Sequence, residues 1–146
     1  MGTSAESSEL ILVADDIPAN VELLVDQLES LGYRIITAVD GPSAIAACFE
    51  YKPDLCILDV SMPAGDLGVE DRATGFEVCR RIKADSTNKT VIVAISGTTE
   101  HEKKVLQAGA DVFKAADQGR WKRLETVRGY DRRAKAFQDH AGAGFL

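Results

Sequence analysis

Three carboxylates close two short apolar runs: Leu10-Ile11-Leu12-Val13-Ala14 leads into Asp15 and Asp16, and Leu55-Cys56-Ile57-Leu58 leads into Asp59. Each run has the length and composition of a strand buried on both faces. In an open parallel sheet, ligands bind outside the carboxyl ends of the strands, so acids at two adjacent strand ends converge where such a fold places its chemistry. One Asp at a strand end is as readily a turn former. Three at matching positions make a candidate site for Mg²⁺, a hard cation that takes a few carboxylates, keeps several waters and draws its other oxygens from a phosphoryl group.

The elements that must position these acids alternate along the chain. After Asp15-Asp16, Pro18 suits a first helical turn, and Val21, Leu24, Leu28 and Leu31 recur at helical spacing until Gly32. Tyr33 to Ala38 reads as a second strand, and Ala44, Ile45, Ala47, Cys48 and Tyr51 as a second helix ahead of Pro53-Asp54. Residues 54–59 form the third strand, 76–83 the third helix, 90–95 the fourth strand, 100–108 a short fourth helix ending at Gly109, and 111–115 the fifth strand. A last helix is expected over 119–138. Strict alternation predicts an α/β fold: a doubly wound five-stranded parallel sheet with helices on both faces.

Length and composition set bounds on function. A chain of 146 residues suits one domain. No run approaches the roughly 18 apolar residues of a membrane span, and the first residues lack the basic-then-apolar order of a secretory signal. Residues 1–8 are expected to be a disordered leader, 9–138 the domain and 139–146 a tail. Cys48, Cys56 and Cys79 are odd in number, lack metal-like spacing and sit within apolar patterns, as reduced core thiols of a cytoplasmic protein do. The net charge of -6 is unevenly spread: residues 1–71 carry 14 acids against Arg34 and Lys52, whereas 117–140 carry seven basic residues among four acids. Because Glu125, Asp131 and Asp139 interrupt that basic segment, neither direct DNA binding nor a membrane partner is expected.

With these elements in place, the chain resembles the receiver domain of bacterial two-component response regulators over about residues 9–130. The likeness rests on Asp15-Asp16-Ile17-Pro18-Ala19-Asn20 with Leu23-Leu24, Leu31-Gly32-Tyr33, Asp40-Gly41, Pro53-Asp54, Leu58-Asp59-Val60-Ser61-Met62-Pro63, Gly75-Phe76 and Ala108-Gly109-Ala110-Asp111. It looks most like the receivers of the cell-cycle and cyclic-di-GMP type. The resemblance implies a flavodoxin-like sheet in the order 2-1-3-4-5, with Asp59 accepting a phosphoryl group from a phosphohistidine and Asp15 and Asp16 holding Mg²⁺ beside it. It also implies that the metal set is completed near Ser61, with Val60 supplying a backbone carbonyl, and that Ser96 and Phe113 act as the switch pair. The chemistry is coherent: a carboxylate nucleophile yields an acyl phosphate, an adjacent cation neutralises charge on the transferring group, and the Ser96 hydroxyl can hydrogen-bond a phosphoryl oxygen.

Three departures surround the same pocket. The family's fifth strand normally continues to a Lys that clamps the phosphoryl group; aligned without gaps from Gly109, that position is Ala116. Residues 64–74 form an acidic insertion where the family typically has three residues, and the fourth helix is about two residues short. Lys114, two residues before Ala116 and so on the same strand face, and Arg72, in the insertion, are the candidate substitute cations.

The leading expectation is therefore a single-domain response regulator. It takes its phosphoryl group from a histidine kinase or histidine phosphotransfer protein and signals to an unknown downstream protein by contact, since no output domain accompanies it. A pseudo-receiver, a binding module not controlled by phosphorylation, is the alternative that Ala116 supports. An aspartyl-nucleophile enzyme is disfavoured, because the acid/base carboxylate such enzymes use two residues after the nucleophile is here Ser61.

Overall fold

The computed structural model describes residues 9–115. The leader, Ala116, the expected last helix and the tail lie outside the described residues. Five parallel strands, β1 (Leu10–Ala14), β2 (Arg34–Ala38), β3 (Leu55–Asp59), β4 (Val91–Ser96) and β5 (Val112–Ala115), form one sheet in the order β2-β1-β3-β4-β5. Among the described residues four helices alternate with them: α1 (Pro18–Ser30), α2 (Gly41–Tyr51), α3 (Thr74–Lys83) and α4 (Glu102–Gln107). The expected fold class and strand order are both met.

The near-continuous apolar strands divide by alternation. Ile11 and Val13 of β1, with Leu55, Ile57, Val91, Val93 and Ile95, pack against Leu24 and Leu28 of α1. Leu12 and Ala14, with Cys56, Leu58, Ile92 and Ala94, pack against Ala44 and Cys48 of α2, Val78, Cys79 and Ile82 of α3, and Val105 of α4. Helices therefore cover both faces. From β1 the chain winds one way to β2 and then back to β3, so right-handed crossovers place α1 and α2 on opposite faces and open a crevice between the ends of β1 and β3.

Local chemistry sets the helix ends. Pro18 occupies the first turn of α1, where its missing N–H costs nothing. Asp40 caps α2 reciprocally: its carboxylate accepts the Ser43 N–H at 2.8 Å, and the Ser43 hydroxyl accepts the Asp40 N–H at 3.3 Å. The third helix starts at Thr74 rather than Phe76, because a 3₁₀ turn over Asp71–Ala73 leads into it. The expected fourth helix is split into a 3₁₀ turn, Thr99–His101, and the six-residue α4.

Residues 64–74 are mostly exposed but are pinned to the core at Ala64, Leu67 and Thr74. Ala64 and Leu67 are buried, and Leu67 packs so tightly on Gly41 that a Cβ there would lie 2.5 Å from the leucine Cδ1. The Ala64 N–H is held by the Asp71 carboxylate at 3.0 Å, and Arg81 of α3 donates to the Leu67 carbonyl at 3.2 Å. All three cysteines are buried and free; burial pushes the Cys79 thiol up to about 12, which leaves it without nucleophilic thiolate.

Candidate functional site

The crevice between β1 and β3 gathers the three acids. Asp15, Asp16 and Asp59 each place a carboxylate oxygen within 4.8 Å of the other two. Asp15 is fully buried and fixed by the first turn of α1: its carboxylate accepts the Ile17 N–H at 2.9 Å and the Asn20 side-chain amide at 3.1 Å. Asn20, present in the sequence motif without an assigned role, thus orients a site carboxylate. Asp16 is exposed, and Asp59, at the tip of β3, is half-buried and accepts the Ser61 N–H at 3.0 Å.

Electrostatics mark Asp59 out. Burial and then the charge of Asp15, with a smaller push from Asp16, raise its carboxyl from the ordinary range to about 7, against the opposing pull of the Ser61 N–H. Three clustered carboxylates that raise the pKa of one of their number form a donor set suited to a divalent cation, whose charge relieves the repulsion and whose preferred ligands are oxygens.

Other expected residues are placed differently from one another. The Val60 carbonyl, expected to face a metal, accepts the Gly75 N–H of α3 at 2.8 Å. Gly75 comes so close that a Cβ on it would stand 2.6 Å from the Val60 Cα, which turns this peptide toward the helix. Ser61 is exposed beside Asp59. Ser96 closes β4 next to β3, nearly buried, with its hydroxyl 2.6 Å from His101 Nδ1. Phe113 pairs in register with Ala94 and packs against the α2–α4 side of the core.

Lys114 is exposed on β5 beside Ile95. Arg72 lines a groove with Val69, Phe76, His101 and Lys104, between the insertion and the start of α4. His101 escaped the sequence reading because its partner, Ser96, is reached only when the shortened fourth helix begins as a 3₁₀ turn.

Comparison with known proteins agrees with this geometry. Residues 11–120 match the response regulator receiver domain. The chain is 40% identical over 110 residues to the response regulator PleD of Caulobacter vibrioides, a match covering 73% of this chain and about a fifth (22%) of PleD. Among solved structures it is similar to the receiver domain of the sensor histidine kinase PA1611 of Pseudomonas aeruginosa, which has a magnesium ion coordinated in its active-site cleft (25% identity, TM-score 0.71, covering 88% of this chain and 99% of that one). It is also similar to the response regulator TrrA of Thermotoga maritima in complex with Mg²⁺ and BeF (26% identity, TM-score 0.68, covering 86% and 98%). A match of this extent, on a 2-1-3-4-5 sheet with three acids at its switch point, settles the family: the chain belongs to the response regulator receiver domains of two-component systems.

Proposed function

We propose that Asp59 accepts a phosphoryl group from a phosphohistidine on a histidine kinase or histidine phosphotransfer protein, and that the domain then signals by protein contact. The observation that carries this reading is the convergence of Asp15, Asp16 and Asp59 at the β1/β3 switch point, with Asp59 the last residue of β3 and partly exposed. A carboxylate oxygen of Asp59 attacks phosphorus, the phosphorus–nitrogen bond to the donor imidazole breaks, and an acyl phosphate forms. Asp15, Asp16, Asp59 and the backbone carbonyl of Ser61 would hold Mg²⁺, replacing Val60, whose carbonyl faces α3. When bound, that ion offsets negative charge on the transferring group.

The chain's own groups prepare the reaction. Ile17 and Asn20 hold the Asp15 carboxylate in place, and the Ser61 N–H orients one Asp59 oxygen, leaving the other to attack. Ser96 and Phe113 report the event, the hydroxyl moving toward the phosphoryl group and the ring following it inward.

The test is phosphorylation by acetyl phosphate in Mg²⁺, followed by intact mass. A gain of about 80 Da, the mass of one phosphoryl group, that is absent from Asp59→Asn is the expected result. The pseudo-receiver reading rests on Ala116 at the position of the phosphoryl-clamping Lys, and no mass gain under any donor concentration would favour it. Replacing Ala116 by Lys separates the two: a variant that gains the mass where the natural chain does not identifies the missing clamp as the defect.

A further inference from the structure

We propose that His101 is a positioning residue that holds the single proton of the Ser96 hydroxyl, so that phosphorylation of Asp59 must displace a histidine contact before Ser96 can engage the phosphoryl group; this rests on the phosphoacceptor reading above. The Ser96 hydroxyl has one proton to give and two lone pairs. The Thr98 N–H, at 3.2 Å, occupies one lone pair. The shortest contact, 2.6 Å, is to His101 Nδ1. With the imidazole neutral and its proton on Nε2, Ser96 donates to Nδ1 and has no proton left for another acceptor. A phosphoryl oxygen is itself only an acceptor, so His101 and the phosphoryl group compete for the same proton.

The ring is held for this contact rather than passing through it. His101 meets Phe76 edge-on, with ring centroids 5.5 Å apart at 78°, and the Lys104 ammonium lies 5.8 Å from the centre of the Phe76 ring. Phe76 in turn packs against the core beneath α3. The 3₁₀ turn Thr99–His101, opened by Thr98 accepting the Glu100 N–H at 3.1 Å, brings the imidazole back over the end of β4. Arg72, Glu70, Glu100, Lys103 and Lys104 border the same groove, so a group bound there would touch the histidine that restrains the switch.

His101→Phe keeps an aromatic edge for Phe76 and removes the nitrogen. In Mg²⁺ the full chain carrying this change is expected to bind beryllofluoride, a phosphoryl mimic that bonds to a carboxylate oxygen, about two- to tenfold more tightly than the natural chain, the range set by one net hydrogen bond. In a Ser96→Ala background the same substitution is expected to leave the affinity unchanged. Equal or weaker binding by His101→Phe with Ser96 intact overturns the proposal. Independently of any ligand, long-range ¹H–¹⁵N spectra of the imidazole should show the proton on Nε2 in the natural chain and a redistribution toward Nδ1 in Ser96→Ala; a neutral ring already protonated on Nδ1 overturns it as well. If the natural chain binds no beryllofluoride, the phosphoacceptor reading fails, and the imidazole spectra still decide the Ser96–His101 contact.

Discussion

Asp59 and Asp15 face each other across the crevice between β3 and β1, and the charge on Asp15 is the strongest of the neighbouring charges that keep Asp59 from ionising in the ordinary carboxylate range. The relationship is unequal. Asp15 is buried but accepts the Ile17 N–H just before α1 and the Asn20 amide within it, whereas Asp59 has the Ser61 N–H and a strand tip.

Stability in metal-free buffer should therefore fall as pH rises. The folded Asp59 carboxyl titrates near 7 and the unfolded one near its ordinary value of 3.8, so the folded chain binds more protons between those limits. This contribution is intact below about pH 4 and is lost progressively toward pH 7. Asp59→Asn removes the penalty and is expected to be more stable than the natural chain by about 1 to 3 kcal/mol at pH 7.5, and by much less at pH 4.5. Urea denaturation at the two pH values checks it; a destabilised Asn variant at pH 7.5 would mean that the carboxylate is engaged in a structural network.

Mg²⁺ should compete with that proton. With the Asp59 carboxyl at about 7, binding at neutral pH is expected to release about half a proton per ion and almost none at pH 8.5. Calorimetric titration in buffers of different ionisation enthalpy measures the number, and amide shifts over residues 14–17 and 59–61 locate the ion. Proton release that does not depend on pH, or shifts confined elsewhere, would remove Asp59 from the metal site.

Gly75 supports the loop after Asp59 by having no side chain. In a helix, Ala normally gains about 0.5 to 1 kcal/mol over Gly. Here the new Cβ would meet the Val60 Cα at 2.6 Å, a backbone atom that cannot rotate away. The clash is expected to win, with Gly75→Ala losing about 1 to 3 kcal/mol net and shifting the amide signals of Val60 and Ser61. Unchanged stability would show that α3 slides to accommodate the methyl group.

Much of this architecture was legible from periodicity. The apolar runs before Asp15 and Asp59 located the strands, and the strand–helix alternation then placed both acids at one edge. The family motif covered the same residues. What escaped depends on packing across elements that are distant in sequence. The Val60 carbonyl is engaged by the N–H of Gly75, fifteen residues on and across the insertion, a contact that sequence spacing does not reveal. The insertion itself read as an acidic loop, yet Ala64 and Leu67 are core residues whose burial is decided by Gly41 and Arg81. The position of Arg72 is likewise set by local geometry that its number does not reveal: it lies in the 3₁₀ turn Asp71–Ala73 and lines the groove beside α4.

The last prediction concerns how residues 64–74 are tied down. Glu77 lies nearly buried on α3 between Arg80 and Arg81, which together hold its carboxyl below the usual range, Arg81 first. The two arginines are not equivalent. Arg80 is mostly exposed and, among the described residues, pairs with Glu77 alone, whereas Arg81 places its Nε 2.6 Å from the Glu77 carboxylate and reaches the Leu67 carbonyl with its other end. An exposed ion pair contributes about 0 to 1 kcal/mol, while a guanidinium that also satisfies a carbonyl beside a buried leucine adds a charge-assisted bond worth roughly 1.5 to 3 kcal/mol. Arg81→Ala should thus cost about 2 kcal/mol more than Arg80→Ala. Hydrogen exchange should quicken at the Leu67 and Ala73 amides, whose bonds to Ala64 and Glu70 hold the segment in shape, but not at β1 or β3. Equal costs for the two substitutions, or exchange that rises throughout the sheet, would show that the insertion is held by its own apolar contacts and not by the guanidinium of Arg81.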